Sequence, residues 1–192
     1  MPTLAAPVRL RWLTTAAHVD QATFDALLAC WRDVSNAGGA VGFAQLPVTA
    51  EQVRPVLAAL VRSLDPATTR LLCASVEGRL AGWLVLAGHS DPVTAHWARV
   101  ARVQTSLAYR GVGIGAALMA EVARCARADL GLSHLRLELR GGMGLERFYA
   151  PLGWREIGRW PEALRVGPDD VRDEVLMHLP LRRAAVVDVR PD

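Results

Sequence analysis

The chain has 192 residues, a length that suits one domain, and 52% of them are hydrophobic, enough for a full core. Its 22 basic residues against 19 acidic ones leave a formal charge of +3, too small and too diffuse for a nucleic-acid surface, which needs a clustered basic face. No apolar run approaches the roughly 18 residues that a membrane span requires.

All the basic residues are arginine, and the absence of lysine beside abundant alanine points to GC-rich, bacterial codon usage. The first residues, Met1 to Arg11, show no cationic start followed by an apolar stretch, so no signal peptide is expected. Cys30, Cys73 and Cys125 lie far apart in apolar patterns without a C-x-x-C pair. They read as reduced core residues of a cytoplasmic protein, with no metal expected.

In chain order, Val8 to Leu13 alternates apolar and polar residues and reads as a strand. Asp20 can cap a helix whose inner face is Phe24, Leu27, Leu28 and Trp31, stopped at Asn36 to Gly39. After a loop to Val48, Thr49 with Gln52 resembles a capping box for a second helix, although Pro55 sits awkwardly for that start. Arg70 to Val76 and Arg79 to Ala87 form a hairpin about Glu77-Gly78. A long strand is expected over Thr94 to Thr105 and a helix from Ile114 to about Asp129. A strand over His134 to Leu139 and a short helix over Met143 to Ala150, closed by Pro151, follow. Trp154 to Arg159 and Asp173 to Leu179 are the last strands. Residues 1–180 read as a single domain and 181–192 as a flexible tail.

The stretch Val100 to Ala120 organises the rest. A β-branched strand runs into Tyr109-Arg110-Gly111-Val112-Gly113-Ile114-Gly115 and then into a helix with apolar residues at Ile114, Ala117, Leu118, Val122 and Cys125. A glycine-rich turn at a helix N-terminus leaves backbone N–H groups pointing one way at the positive end of the helix dipole, which makes an anion site. Gly111 to Ala116 also fits a dinucleotide fingerprint, with Glu138 at the spacing of a ribose-binding carboxylate. That reading fails because Ala108-Tyr109-Arg110 separates the strand from the first glycine and too few residues follow for further βα units.

Arg110, Gly113 and Gly115 instead match the pattern Q/R-x-x-G-x-G/A, and Phe148-Tyr149-Ala150-Pro151-Leu152-Gly153-Trp154 matches a helix-end tyrosine followed by x-x-x-G and an aromatic residue. With the element order β-α-α-β-β-β-α-β-α-β-β, the chain resembles the GNAT acetyltransferase superfamily, most closely small-molecule, antibiotic-type and tabtoxin-resistance-type members. The resemblance implies an α/β (α+β) fold, with helices flanking a twisted, mostly antiparallel sheet that splays between its fourth and fifth strands. It implies acetyl-CoA as co-substrate, held by Val103, Gln104, Thr105 and Ser106 through the strand backbone and by Arg110, Gly111, Val112, Gly113, Ile114, Gly115 and Ala116 around the pyrophosphate. Tyr149 becomes the candidate general acid and Glu138 the candidate base. Three departures stand out: Leu107 where relatives often have proline, Arg99 where a second strand acid is expected, and Gly142 where an asparagine often touches the cofactor. His96 reads as a packed histidine.

The acceptor site is expected between the Ala37 to Pro47 loop and the connection Trp160 to Asp173. The acids Glu162, Asp169, Asp170 and Asp173 on that connection would draw in a cationic amine. The expected partner is a small-molecule or peptide amine, with a homodimer left open and neither nucleic acid nor membrane involved. The alternative is a module of the same fold that binds acyl-CoA as a sensor without turnover.

Overall fold

A computed structural model describes residues 6–39, 42–43 and 45–181. The expected tail, residues 181–192, lies outside the described residues except for Leu181. Seven strands make one sheet: β1 (Arg9–Leu13), β2 (Thr69–Val76), β3 (Arg79–Ala87), β4 (Trp97–Thr105), β5 (His134–Arg140), β6 (Arg155–Arg165) and β7 (Val171–Pro180). Their spatial order is β1-β2-β3-β4-β5-β7-β6. Every neighbouring pair is antiparallel except β4 and β5.

The helices are α1 (Gln21–Asn36), α2 (Ala50–Arg62), α3 (Ile114–Ala128) and the single turn α4 (Glu146–Tyr149). Asp20 caps α1 by accepting from the Thr23 N–H at 2.8 Å. The start of α2 is a complete capping box: the Thr49 hydroxyl accepts from the Gln52 N–H and the Gln52 amide oxygen accepts from the Thr49 N–H. Pro55 therefore lies inside α2, where the bond it forfeits belongs to the carbonyl of exposed Glu51, left free for water. Asn36, the last residue of α1, both donates to the Val48 carbonyl at 3.0 Å and accepts from its N–H at 2.7 Å. That exchange closes the loop between the two helices.

The sheet separates two apolar layers. On one face α1 and α2 pack Leu27, Trp31, Val53 and Leu57 against Leu13, Leu71, Cys73, Trp83 and Val85. On the other, Ile114, Leu118, Met119 and Val122 of α3 join Tyr149 and Trp154 over Leu72, Leu84, Val100, Leu137 and Met177. The alternation of β5 and β7 follows. Leu135, Leu137, Leu139, Val175 and Met177 face the α3 layer. Arg136, Glu138, Arg140, Glu174 and His178 therefore face the opposite side.

β4 and β5 pair only from Trp97 to Arg99 against His134 to Arg136. Beyond that point the two strands diverge. Opposite β3, the two steps from Trp83 to Val85 face three from Ala101 to Gln104, a bulge in which Arg102 takes the left-handed backbone at φ 54°. The bulge turns both Ala101 and Arg102 toward the α1 layer.

Four boundaries differ from the sequence reading. β4 begins at Trp97, because Asp91 gathers Val93, Thr94 and Ala95 into a turn, accepting from Val93 N–H on its side chain and from the other two on its carbonyl. The short helix begins at Glu146, since Gly142 and Gly144 adopt positive φ before it. Pro151 does not close that helix but lies within a 3-10 turn ended by Gly153 at φ 89°. β6 runs on to Arg165, so most of the expected connection is a hairpin arm. Thr49→Ala removes half the capping box and should lower stability by about 1 kcal/mol; urea unfolding with an unchanged slope would measure it.

Candidate active site

The divergence of β4 from β5 opens a cleft of about 1130 Å³. Residues 99–105 of β4 and 137–140 of β5 form its walls, the α3 N-terminus one end, α4 another, and Ala37, Gly38, Gly39 and Gly42 its rim. Residues 40, 41 and 44 of that rim lie outside the described residues. Gly39 is placed by its own N–H, which donates to the Val34 carbonyl at 2.9 Å. A Cβ on Gly39 would meet that same oxygen at 2.6 Å.

At the α3 end, Ser106 to Tyr109 makes a 3-10 turn and delivers Arg110 to the cleft. Gly111 and Gly113 take φ of 76° and 92°, and nothing lies within 4 Å of where their Cβ atoms would stand. Gly113 is the N-cap of α3, and no side chain caps that end. The first N–H groups of α3 are thus left without a side-chain cap at the positive end of the dipole. Gly115 serves a different purpose: a Cβ there would touch Phe148 Cζ at 3.0 Å, so the bare backbone lets α4 approach α3.

The β4 edge facing β5 carries no ladder after Arg99. Its backbone groups are available to an extended ligand, as at any open strand edge. Of the residues assigned from sequence to the co-substrate, Val103, Gln104, Thr105, Arg110, Gly111, Gly113, Ile114, Gly115 and Ala116 line the cleft, whereas Ser106 and Val112 do not. The Ser106 N–H is already bonded to the Ala81 carbonyl at 2.9 Å, and Val112 packs on the α3 layer. Gly142 does not line the cleft either; its turn faces the Arg172 guanidinium.

Tyr149 and Glu138 both line the cleft. Tyr149 is 6% exposed, edge-on to Phe148 and Trp154 with ring centroids 4.9 and 6.1 Å away. Burial pushes its phenol up to about 12, so it keeps its proton throughout the physiological range. Glu138 faces across the splay to Arg99, whose Nη1 lies 3.5 Å from its Oε2. Burial raises the Glu138 carboxyl above the ordinary glutamate value; Arg99 opposes that shift and Glu174 adds to it. The strand residue that replaces the expected second acid is thus the partner of the first.

The four acids assigned to acceptor attraction do not line the cleft. Asp170 pairs with Arg172, Asp173 accepts from the Glu162 N–H at 3.1 Å, and only Leu164 of that arm reaches the cavity. The charged lining is instead Arg99, Arg102, Arg110 and Arg140 with Glu138 and Glu174. Arg140, Glu174 and Phe148 escaped the sequence reading as site residues, although Arg140 is one strand period beyond Glu138 on the same face. His96 does not line the cleft; it lies in the turn before β4, with its ring 5.5 Å from that of His134. Among the described residues, no three His, Cys, Asp or Glu side chains are placed to hold a metal ion, and no helix is long and apolar enough to cross a membrane.

Comparison with known proteins agrees with this geometry. No curated protein matches the sequence. Among solved structures, a Salmonella typhimurium protein assigned as an acetyltransferase, with its cofactor acetyl-CoA, superposes with a TM-score of 0.70 at 17% identity over 97% of this chain and 99% of its own. A protein assigned as a phosphinothricin N-acetyltransferase gives 0.70 at 21% over 92% and 100%. The ribosomal-protein-alanine N-acetyltransferase of Brucella melitensis gives 0.69 at 20% over 90% and 99%. At such identities the superpositions establish the fold. The profile of the acetyltransferase (GNAT) family matches residues 43–154, more than half of the sequence, including β4, α3, β5 and α4 around the cleft, and the chain belongs to that family.

Proposed function

We propose that the protein transfers the acetyl group of acetyl-CoA to a primary amine of a small molecule or peptide by direct attack, with Tyr149 as general acid and Glu138 as base. The observation that carries the reading is the cleft itself. One open strand edge, one uncapped helix N-terminus and one proton-bearing phenol converge on it. The backbone of Val103 to Thr105 is suited to the pantetheine arm, and Arg110 with the N–H groups from Gly111 to Ala116 to the pyrophosphate. Holding the thioester beside the amine supplies the gain in effective concentration.

In the reaction the amine nitrogen attacks the thioester carbonyl carbon, the C–S bond breaks, and its electron pair leaves on sulfur. Glu138 takes the proton from the ammonium. Tyr149, which burial keeps protonated, gives its proton to the departing thiolate and regains one from the nitrogen as that nitrogen becomes the amide. An N–H of the β4 backbone is the donor for the oxyanion. Residues 1–180 act as one domain, and the three buried free cysteines suit a reducing cytoplasm. The sensor alternative requires binding without turnover, so release of CoA with any amine removes it.

Gly113→Asp should abolish acetyl-CoA binding, since a carboxylate would stand in the phosphate site. Arg110→Ala should weaken binding by about 1–3 kcal/mol, the scale of a charge-assisted hydrogen bond. Calorimetry giving wild-type affinity for both variants would remove the pyrophosphate assignment.

Tyr149→Phe keeps the ring and its packing and should lower turnover by about 10²-fold or more, with little change in acetyl-CoA affinity. Lost affinity with intact turnover would make the tyrosine a binding residue instead. For Glu138 the active form is the carboxylate, so the rate falls as pH drops through its pKa. Because that pKa is raised, the acidic limb lies above the ordinary glutamate range. Glu138→Gln should lose this limb, and a limb persisting unchanged would strike Glu138 from the site.

A further inference from the structure

The α1 side of the cleft is built around an arginine that the transfer reaction does not use. Arg102 sits at the β4 bulge with left-handed backbone, φ 54°, a conformation that is costly for a long side chain and is retained where the surroundings demand it. Its guanidinium lies over the Trp31 ring, 4.4 Å from the centroid, and Trp31 is fully buried. The rim makes room for it at Gly42, whose Cβ would collide with Arg102 Nη1. Burial, and then Arg99, lower the Arg102 pKa, which places the group in a poorly hydrated environment close to a second cation. A partly desolvated guanidinium gains more from an anion than an exposed one does.

Gln104, two residues further along β4, faces the same layer, beside Trp83. It lines the cleft, is 1% exposed, and neither its Oε1 nor its Nε2 has a hydrogen-bond partner. Buried amides are nearly always satisfied, so a free one in a cleft wall marks a place for a ligand or for water. Along the wall the charges then run Glu138, Arg99, Arg102. Glu138 and Arg99 are 3.5 Å apart, and Arg99 is near enough to Arg102 to act on it electrostatically. The order acid, then cations, then amide complements a molecule that carries an ammonium and a carboxylate a few bonds apart. It suits a lone cationic amine less well, because the lining holds four arginines against the two acids Glu138 and Glu174.

We infer that the acceptor is a free amino acid or a close analogue, with its amine at Glu138 and its carboxylate against Arg102 and the Gln104 amide. This rests on the acetyltransferase reading and narrows it, since an amine without a neighbouring carboxylate, a peptide N-terminus included, leaves the buried Gln104 amide unsatisfied.

The test uses the full chain, acetyl-CoA and matched acceptors: L-phenylalanine against 2-phenylethylamine, L-methionine against 3-(methylthio)propylamine, and the dipeptide amides beginning with the same two residues. Free CoA release is followed, with acetyl-CoA affinity measured separately by calorimetry. The amino acids should exceed their decarboxylated partners and the dipeptide amides in kcat/KM by about tenfold or more, the scale of one charge-assisted contact. Arg102→Gln should bring that ratio toward one, mainly through the KM for the amino acid. Because Arg102 also packs on Trp31, Gln104→Met provides a second arm. It removes an unsatisfied buried amide, so it should hold or raise Tm while raising the KM for the amino acid. Equal or inverted selectivity, or loss of selectivity in neither variant, overturns the inference and leaves the transferase reading standing. Absence of acetyl-CoA binding, or of CoA release with every acceptor, overturns both.

Discussion

The parallel ladder between β4 and β5 stops after Arg99, and the rest of the site depends on that stop. Two strands that stayed paired to their ends would leave no cleft and no free backbone edge. The bulge at Arg102 accompanies the divergence: β4 spends one extra residue against β3 and bends away from β5. The cost of an interrupted ladder falls on a few backbone groups. It is offset by the two apolar layers, which clamp both strands through Val100 and Leu137 on the α3 side and Trp83 and Trp31 on the α1 side. The opening is therefore a rigid feature of a packed sheet.

That geometry divides the chemistry by face. The α3 side supplies dipole and backbone, through glycines whose positive φ or missing Cβ keeps the helix end clear. The α1 side supplies charged side chains, because residues of β4 and β5 that alternate away from the leucine layer can be polar without disturbing the core. Tyr149 belongs to the α3 layer and Glu138 to the other, so the proposed acid and base approach the same opening from opposite faces of the sheet.

Much of this was legible in the sequence wherever a local rule decided the outcome. The α1 cap at Asp20, the Thr49–Gln52 box, the hairpin about Glu77-Gly78 and the glycine turn opening α3 depend on neighbours in the chain, and all are found where the residues indicated. The element order followed from periodicity and turn residues, and the splay from the family resemblance that this order supported. What the sequence hid was non-local. The strand character of Trp160 to Arg165 comes from pairing with β7 through a bulge at Glu162, which no window of residues reveals. Two acids of that arm, Asp170 and Asp173, serve Arg172 and the hairpin backbone instead. Arg99 looked like a missing carboxylate, yet across the splay it is the partner of Glu138. Arg102 and Gln104 stand out only once the bulge has turned them and burial is known.

The central claim is that the open β4 edge and the α3 N-terminus together bind the CoA moiety through backbone groups. Backbone amide hydrogen exchange of the full chain, with and without saturating CoA, addresses those groups directly. The account predicts that CoA slows exchange in the peptides covering residues 101–105 and 111–117, with little change in β1, β2 or α2. Saturated binding that leaves both segments exchanging at the free rate, or protects a different surface, would contradict it.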